Sequence, residues 1–72
     1  MSYALFDRQN NSYLATGYGA SSLEQLHEEL FEYIEVDLEP DEIEYWELLA
    51  DVREMAATWD LRIDEGRFER EW

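Results

Sequence analysis

The chain carries neither lysine nor arginine between Arg8 and Arg53, although that stretch holds twelve of its nineteen acidic residues. Carboxylates without cationic neighbours must face water, whereas the apolar residues that alternate with them must face a core. Any helix in this stretch therefore needs one apolar face and one acidic face. The formal net charge of the whole chain is −14.

The composition indicates a single folded domain over residues 1–72. A chain of 72 residues is shorter than the most common domain size of about 100–150 residues. It has no cysteine, so disulfides and thiolate metal sites cannot stabilise it. Its hydrophobic fraction of 46% and aromatic fraction of 15% are too high for a disordered acidic segment. We therefore expect an acidic domain that an apolar core holds together unaided.

The first half of the chain predicts a hairpin and a helix. Two short runs rich in Tyr, Phe and Leu flank an Asn-Asn turn, which predicts a β-hairpin within residues 1–19. Ser21 and Glu24 then match the spacing of a helix capping box, directly before apolar residues at helical intervals. We expect a first helix over residues 22–36.

The second half predicts a longer helix followed by a strand. Pro40 fits the first position of a helix and is followed by acidic residues, which the positive end of the helix dipole favours. The apolar residues of the predicted helix, residues 40–57, cover more than half of its circumference. A period of two then predicts a strand over residues 60–64, and residues 65–72 form either a short fourth strand or a loosely docked tail.

These elements predict an α+β fold with the order β-β-α-α-β. In such a fold an antiparallel hairpin and a third strand form a small sheet, and the two helices pack on one of its faces. A sheet of three strands has edges that a second copy could join, so the pattern also permits a homodimer.

No catalytic or metal-binding motif is complete. Glu24 and His27 have the spacing of a di-metal motif, but the chain has no second histidine, and Phe31 stands where a zincin helix needs its second ligand. The alternating acids of residues 37–41 lack the glycine and the bidentate glutamate of a calcium loop. We therefore expect a non-enzymatic protein without metal or cofactor.

On helical wheels the acids form one stripe on each predicted helix. Like charges four residues apart destabilise a helix by about 0.2–0.5 kcal/mol per pair, so keeping them favours a role in binding. The predicted partner-binding acids are Glu24, Glu28, Glu32 and Glu35 on the first helix and Glu44, Glu47, Asp51 and Glu54 on the second.

The charge identifies the kind of partner. A net charge of −14 and a pI near 4.1 exclude direct binding to nucleic acid or to an anionic membrane, and attract a basic protein surface. Carboxylates about 5–6 Å apart along a helix approach the spacing of phosphates along a strand. The leading hypothesis is an inhibitor or regulator that mimics nucleic acid and docks on a nucleic-acid-binding protein. In charge and size alone, the chain is similar to the small acidic inhibitors that phages and mobile elements encode.

A second hypothesis gives the aromatic residues the main role. Trp46, Phe31, Phe68 and Trp72 exceed what the pattern assigns to the core, and an exposed apolar patch is typical of a protein–protein interaction or oligomerisation module. In that case the acids are only a solvated rim. The amino-terminal residues show neither a signal peptide nor a membrane-spanning run, so the sequence predicts a cytoplasmic protein.

Overall fold

The computed structural model describes residues 1–70 and shows a three-stranded antiparallel sheet with helices packed on one face. The predicted α+β class and the order β-β-α-α-β are confirmed. The helices of the described chain are too short to cross a membrane. The strands are β1 Ser2–Asp7, β2 Ser12–Tyr13 and β3 Leu61–Gly66, and the helices are α1 Leu23–Ile34, α2 Pro40–Glu44 and α3 Val52–Thr58.

The sheet has the order β2-β1-β3, with β1 in the centre. β1 pairs with β3 along its whole length, from Ser2 opposite Gly66 to Asp7 opposite Leu61. Its pairing with β2 is much shorter, because the chain leaves the hairpin after Tyr13. Gly17 and Gly19 then adopt positive φ angles of 76° and 79°, which few other residues tolerate. These turns bring the chain back to β1 and position the start of α1.

The first helix begins one position later than the capping pattern predicts. Ser22 is the N-cap, and its side chain accepts a hydrogen bond of 3.0 Å from the backbone N–H of Gln25. Gln25 in turn accepts from Ser21. The predicted capping-box roles of Ser21 and Glu24 are therefore wrong, and the Glu24 carboxylate takes no part in the helix cap. The helix ends at Ile34, and a single 3₁₀ turn follows over Glu35–Asp37.

The second predicted helix, residues 40–57, is wrong as one continuous helix. α2 passes into a π-helical turn, Tyr45–Leu49, and Ala50 and Asp51 are then extended, with ψ angles of 144° and 149°. An apolar arc wider than half a helix cannot be buried against one sheet face, so the break divides it. Val52, Met55 and Ala56 of α3 are buried in the core, whereas Leu48 and Leu49 are 69% and 72% exposed.

The core lies between the sheet and the helices. Its largest fully buried side chains come from β1, α1 and α3, and Phe31 joins them at 8% exposure. The phase of α1 that buries these residues also fixes where its acids lie. The fully buried set is Leu5, Leu26, Leu30, Ile34 and Met55.

The tail is docked and does not form a fourth strand within residues 67–70. β3 continues to Gly66, two residues beyond the predicted strand. The Ser2 hydroxyl then accepts a hydrogen bond from the N–H of Phe68 and donates one to its carbonyl, at 2.7 and 2.6 Å. Phe68 packs against Tyr13 and Tyr18. Trp72 lies outside the described residues.

The break before α3 is stabilised by a cap that mutation can test. Asp51 Oδ1 accepts a hydrogen bond of 3.2 Å from the N–H of Arg53. We predict that Asp51→Ala lowers the free energy of unfolding by about 1 kcal/mol, the usual effect of losing an N-cap. Asp51→Asn keeps the cap and should cost much less. Urea unfolding followed by tryptophan fluorescence measures both, and equal losses in the two variants would contradict a capping role.

Candidate partner-binding site

One groove of about 570 Å³ lies between α1 and the π turn. We call it the acidic groove, because five of its eight lining residues are glutamates. It brings together six of the ten residues predicted to bind a partner. Its lining residues are Glu24, His27, Glu28, Phe31, Glu32, Glu35, Glu47 and Leu48.

The α1 wall of the groove follows from the helical repeat. Glu24, Glu28 and Glu32 recur every four residues, which corresponds to a rise of about 6 Å each along the helix axis. All three side chains are exposed. Phe31, at 8% exposure, lies between this acidic row and the core and forms part of the apolar floor. The wall is therefore a row of carboxylates beside a strip of apolar surface.

The opposite wall is the π turn, which a histidine ties to α1. His27 Nε2 lies 2.9 Å from the carbonyl oxygen of Trp46. A carbonyl can only accept, so Nε2 carries the proton of this hydrogen bond. In an α-helix the Trp46 carbonyl would accept from the N–H of Ala50, but that N–H bonds to Tyr45 instead, at 2.8 Å. The π turn therefore leaves the Trp46 carbonyl without its α-helical donor, and His27 takes that place.

The Trp46 side chain connects this wall to the core. It is half-buried and packs edge-on against Trp59, with ring centroids 5.0 Å apart. Tyr45 also packs edge-on against Trp46, with the same distance between ring centroids. Trp46 is therefore partly buried against the core, which differs from its predicted place in an exposed patch. Phe31 is also largely buried, although it lines the groove floor.

The negative charge of the groove is not balanced locally. No arginine lines it within the described chain. The ion pairs of residues 1–70 lie elsewhere, joining Arg53 to Asp51, Arg62 to Asp64 and Arg70 to Glu29. Crowded carboxylates with an apolar floor suit guanidinium or ammonium groups on alkyl stems, because the stems cover the apolar surface while the cations meet the acids.

The predicted stripe on the second helix is wrong, because the helix on which it was placed is broken. Only Glu47 of that stripe lines the acidic groove. Asp51 caps α3 and lies at a shallow extension of the groove beside Glu24. Glu54 accepts a hydrogen bond of 2.7 Å from the Tyr45 hydroxyl, which raises the pKa of Tyr45. Glu44 lies on α2, outside the groove lining.

Two contributors to the site were not predicted. His27 and Leu48 line the groove but are not among the ten residues predicted to bind a partner. The excessive width of the apolar arc was the available signal that part of the second helix had to be exposed. Within residues 1–70 no group of three or more histidine or acidic residues is arranged to hold a metal ion.

The crowding of like charges on α1 should make stability depend on salt. We predict that the melting temperature rises with added NaCl, because ions screen the repulsion between Glu24, Glu28 and Glu32. Glu28→Gln removes two like pairs and should stabilise the fold by a few tenths of a kcal/mol, with a smaller salt response. Glu69→Gln makes the same charge change outside the helices. Equal effects of the two variants would show that the α1 row is not specifically strained.

Comparison with protein-family models, curated proteins and solved structures finds no match to this chain.

Proposed function

We propose that this chain is a non-enzymatic binding protein whose acidic groove receives the arginine and lysine side chains of a basic protein surface. The observation that carries the proposal is the convergence of five glutamates on one groove, with no arginine in its described lining. Three of them come from one face of α1, Glu35 comes from the 3₁₀ turn that follows it, and Glu47 comes from across the groove. A cation in the groove is therefore approached by carboxylates from two sides.

The arrangement favours extended basic surfaces over single ions. Arginine pairs with carboxylates through two parallel hydrogen bonds, and its stem can lie along Phe31 and Leu48. The net charge of −14 adds long-range attraction, which accelerates encounter with a cationic partner. Affinity and association rate should both fall as salt is added.

The more specific proposal is that the partner is a nucleic-acid-binding protein. The α1 row presents a negative charge about every 6 Å, and a surface built to track phosphates presents its cations in a comparable series. The two parallel rows inferred from the sequence are reduced to one row with Glu47 opposite. The acidic groove would therefore resemble the phosphate row of one nucleic-acid strand, and not the two rows of a duplex.

Affinity capture from a cell lysate, followed by mass spectrometry, tests the class of partner. Enrichment of nucleases, repressors or polymerase subunits supports the more specific proposal. For any captured partner, DNA or RNA should compete with the chain for the same surface, and raising the salt should weaken the complex steeply. A partner that binds DNA and the chain simultaneously would contradict the mimicry.

Neutralising the groove should abolish binding without unfolding the chain. We predict a loss of at least about a hundredfold in affinity, since several charge-assisted contacts are removed together. Isothermal titration calorimetry with the captured partner measures the loss. The test variant combines Glu24→Gln, Glu28→Gln, Glu32→Gln and Glu47→Gln.

A matched control separates the groove from bulk charge. It makes the same change in net charge at four exposed acids that do not line the groove, and it should keep most of the affinity. Equal losses in both variants would show that only the total charge matters. The control variant combines Asp37→Asn, Asp41→Asn, Glu44→Gln and Glu69→Gln.

The second candidate function is an apolar docking site at the end of the π turn. Its supporting observation is that Leu48, which lines the groove, and its chain neighbour Leu49 are 69% and 72% exposed and lie outside the core. We predict that Leu48→Ser with Leu49→Ser lowers affinity by less than the four groove substitutions. If this pair of changes abolishes binding and the groove variant does not, the apolar site is the functional one.

A further inference from the structure

Within the part of the chain that the structure describes, the outer edge of β3 is an unpaired strand edge. β3 is there the last strand of the sheet and pairs with β1 alone. Tyr3 and Leu5 direct their backbone groups toward the hairpin side, where they bond to residues 19, 20 and 14. The alternate residues of β1 therefore bond to β3, as the bond from Arg8 N–H to the Asp60 carbonyl also shows.

This alternation decides which groups of β3 face outward. Arg62, Asp64 and Gly66 lie opposite Phe6, Ala4 and Ser2, so their backbone groups are used in the sheet. The backbone N–H and C=O groups of the residues that alternate with them, Leu61, Ile63 and Glu65, point away from β1. Within residues 1–70 no hydrogen bond reaches these six groups.

The edge is complementary to itself in one register. If two copies of β3 pair antiparallel about a two-fold axis at Ile63, Leu61 lies opposite Glu65 of the second copy, and all six outward groups of each edge form hydrogen bonds. Arg62 then lies opposite Asp64 of the second copy, and Asp64 lies opposite Arg62 of the second copy. Two-fold axes at Arg62 or at Asp64 would instead place like charges opposite each other, which is unfavourable.

The groove beside β3 is rich in arginine. Three of the five arginines of the chain line the groove beside β3, with Glu65 as its one acidic residue. A second copy with a net charge of −14 therefore meets less repulsion here than along α1. The three residues are Arg8, Arg53 and Arg62.

We propose that β3 is a self-association edge through which two copies form a continuous six-stranded antiparallel sheet, centred on Ile63. A contact of six-residue strands is smaller than the 1,200–2,000 Å² or so of a stable interface, so the dimer is weak and depends on concentration. Salt strengthens it, because screening reduces the repulsion between two acidic chains. The inference does not depend on the function of the acidic groove.

Sedimentation velocity of the full chain from about 20 μM to about 1 mM, the range in which weak interfaces associate, tests the proposal. We expect a monomer that becomes a dimer as concentration and NaCl increase. A monomer under all of these conditions would overturn the proposal. Species larger than a dimer would also overturn it, because they indicate head-to-tail contacts instead of a closed two-fold pairing.

Proline at position 65 tests the strand edge itself. The N–H of Glu65 points outward, so Glu65→Pro removes an intermolecular donor and leaves the bonds to β1 in place. We expect the dimer dissociation constant to rise at least about tenfold relative to Glu65→Ala, since two symmetry-related bonds are lost. Equal dissociation constants for the two variants would overturn the proposal. Circular dichroism checks that both variants are folded.

Exchanging the charges tests the register and does not rely on proline. Arg62→Asp places like charges opposite each other and should abolish the dimer, whereas Arg62→Asp combined with Asp64→Arg should restore it. Failure of the double variant to recover, with its fold intact, would overturn the register. Neutralising the acidic groove should leave dimerisation through β3 in place, so the two proposals fail independently.

Discussion

The hydrogen bond from His27 to the carbonyl of Trp46 fixes the distance between α1 and the π turn. It exists because the helical chain does not continue regularly at this point: the N–H of Ala50 bonds to Tyr45 and leaves the Trp46 carbonyl without its α-helical partner. A partly buried carbonyl without a donor is unfavourable, and the histidine supplies the donor. The same contact holds the two walls of the acidic groove together.

The distribution of charge is the second constraint on the fold. α1 carries repeated carboxylates without lysine or arginine, so its acids cannot form the ion pairs within the helix, three or four residues apart, that usually stabilise an exposed helix. Apolar packing has to offset this: Trp46 and Trp59, which pack edge-on against each other, lie partly buried against the core. The arginines are placed mainly around β3 and the tail, where they pair with Asp51, Asp64 and Glu29. The ion pairs of residues 1–70 therefore lie outside the groove in which the unpaired carboxylates are concentrated.

Most of the topology was predictable because local patterns and the tertiary fold agree. The period of two at Leu61 and Ile63, the helical period of α1 and the position of Pro40 each correspond to the observed element. The α1 acid row was predictable for the same reason, since an uninterrupted helix keeps the phase that the wheel assumes. The break at Ala50 was not, because a helical wheel treats residues 40–57 as rigid. Asp51, a residue that favours N-caps, was the local signal for it.

The break has opposite consequences for the two hypotheses about binding. It removes the second acid stripe and exposes Leu48 and Leu49, which favours an apolar contribution. It also moves Glu47 to the side of the groove opposite the α1 row, which concentrates charge there. A partner with arginines around an apolar contact would use both features. The groove is therefore a product of the irregular helix, and its geometry depends on that irregularity.

Backbone ¹³Cα chemical shifts over residues 45–53 test this dependence most directly. The account predicts helical shifts through Leu49, extended shifts at Ala50 and Asp51, and helical shifts again from Val52. It also predicts a nuclear Overhauser contact between the His27 ring and the backbone of the π turn. Continuous helical shifts from Pro40 to Thr58 would contradict it, because an unbroken helix would restore the second acid stripe and remove the groove wall.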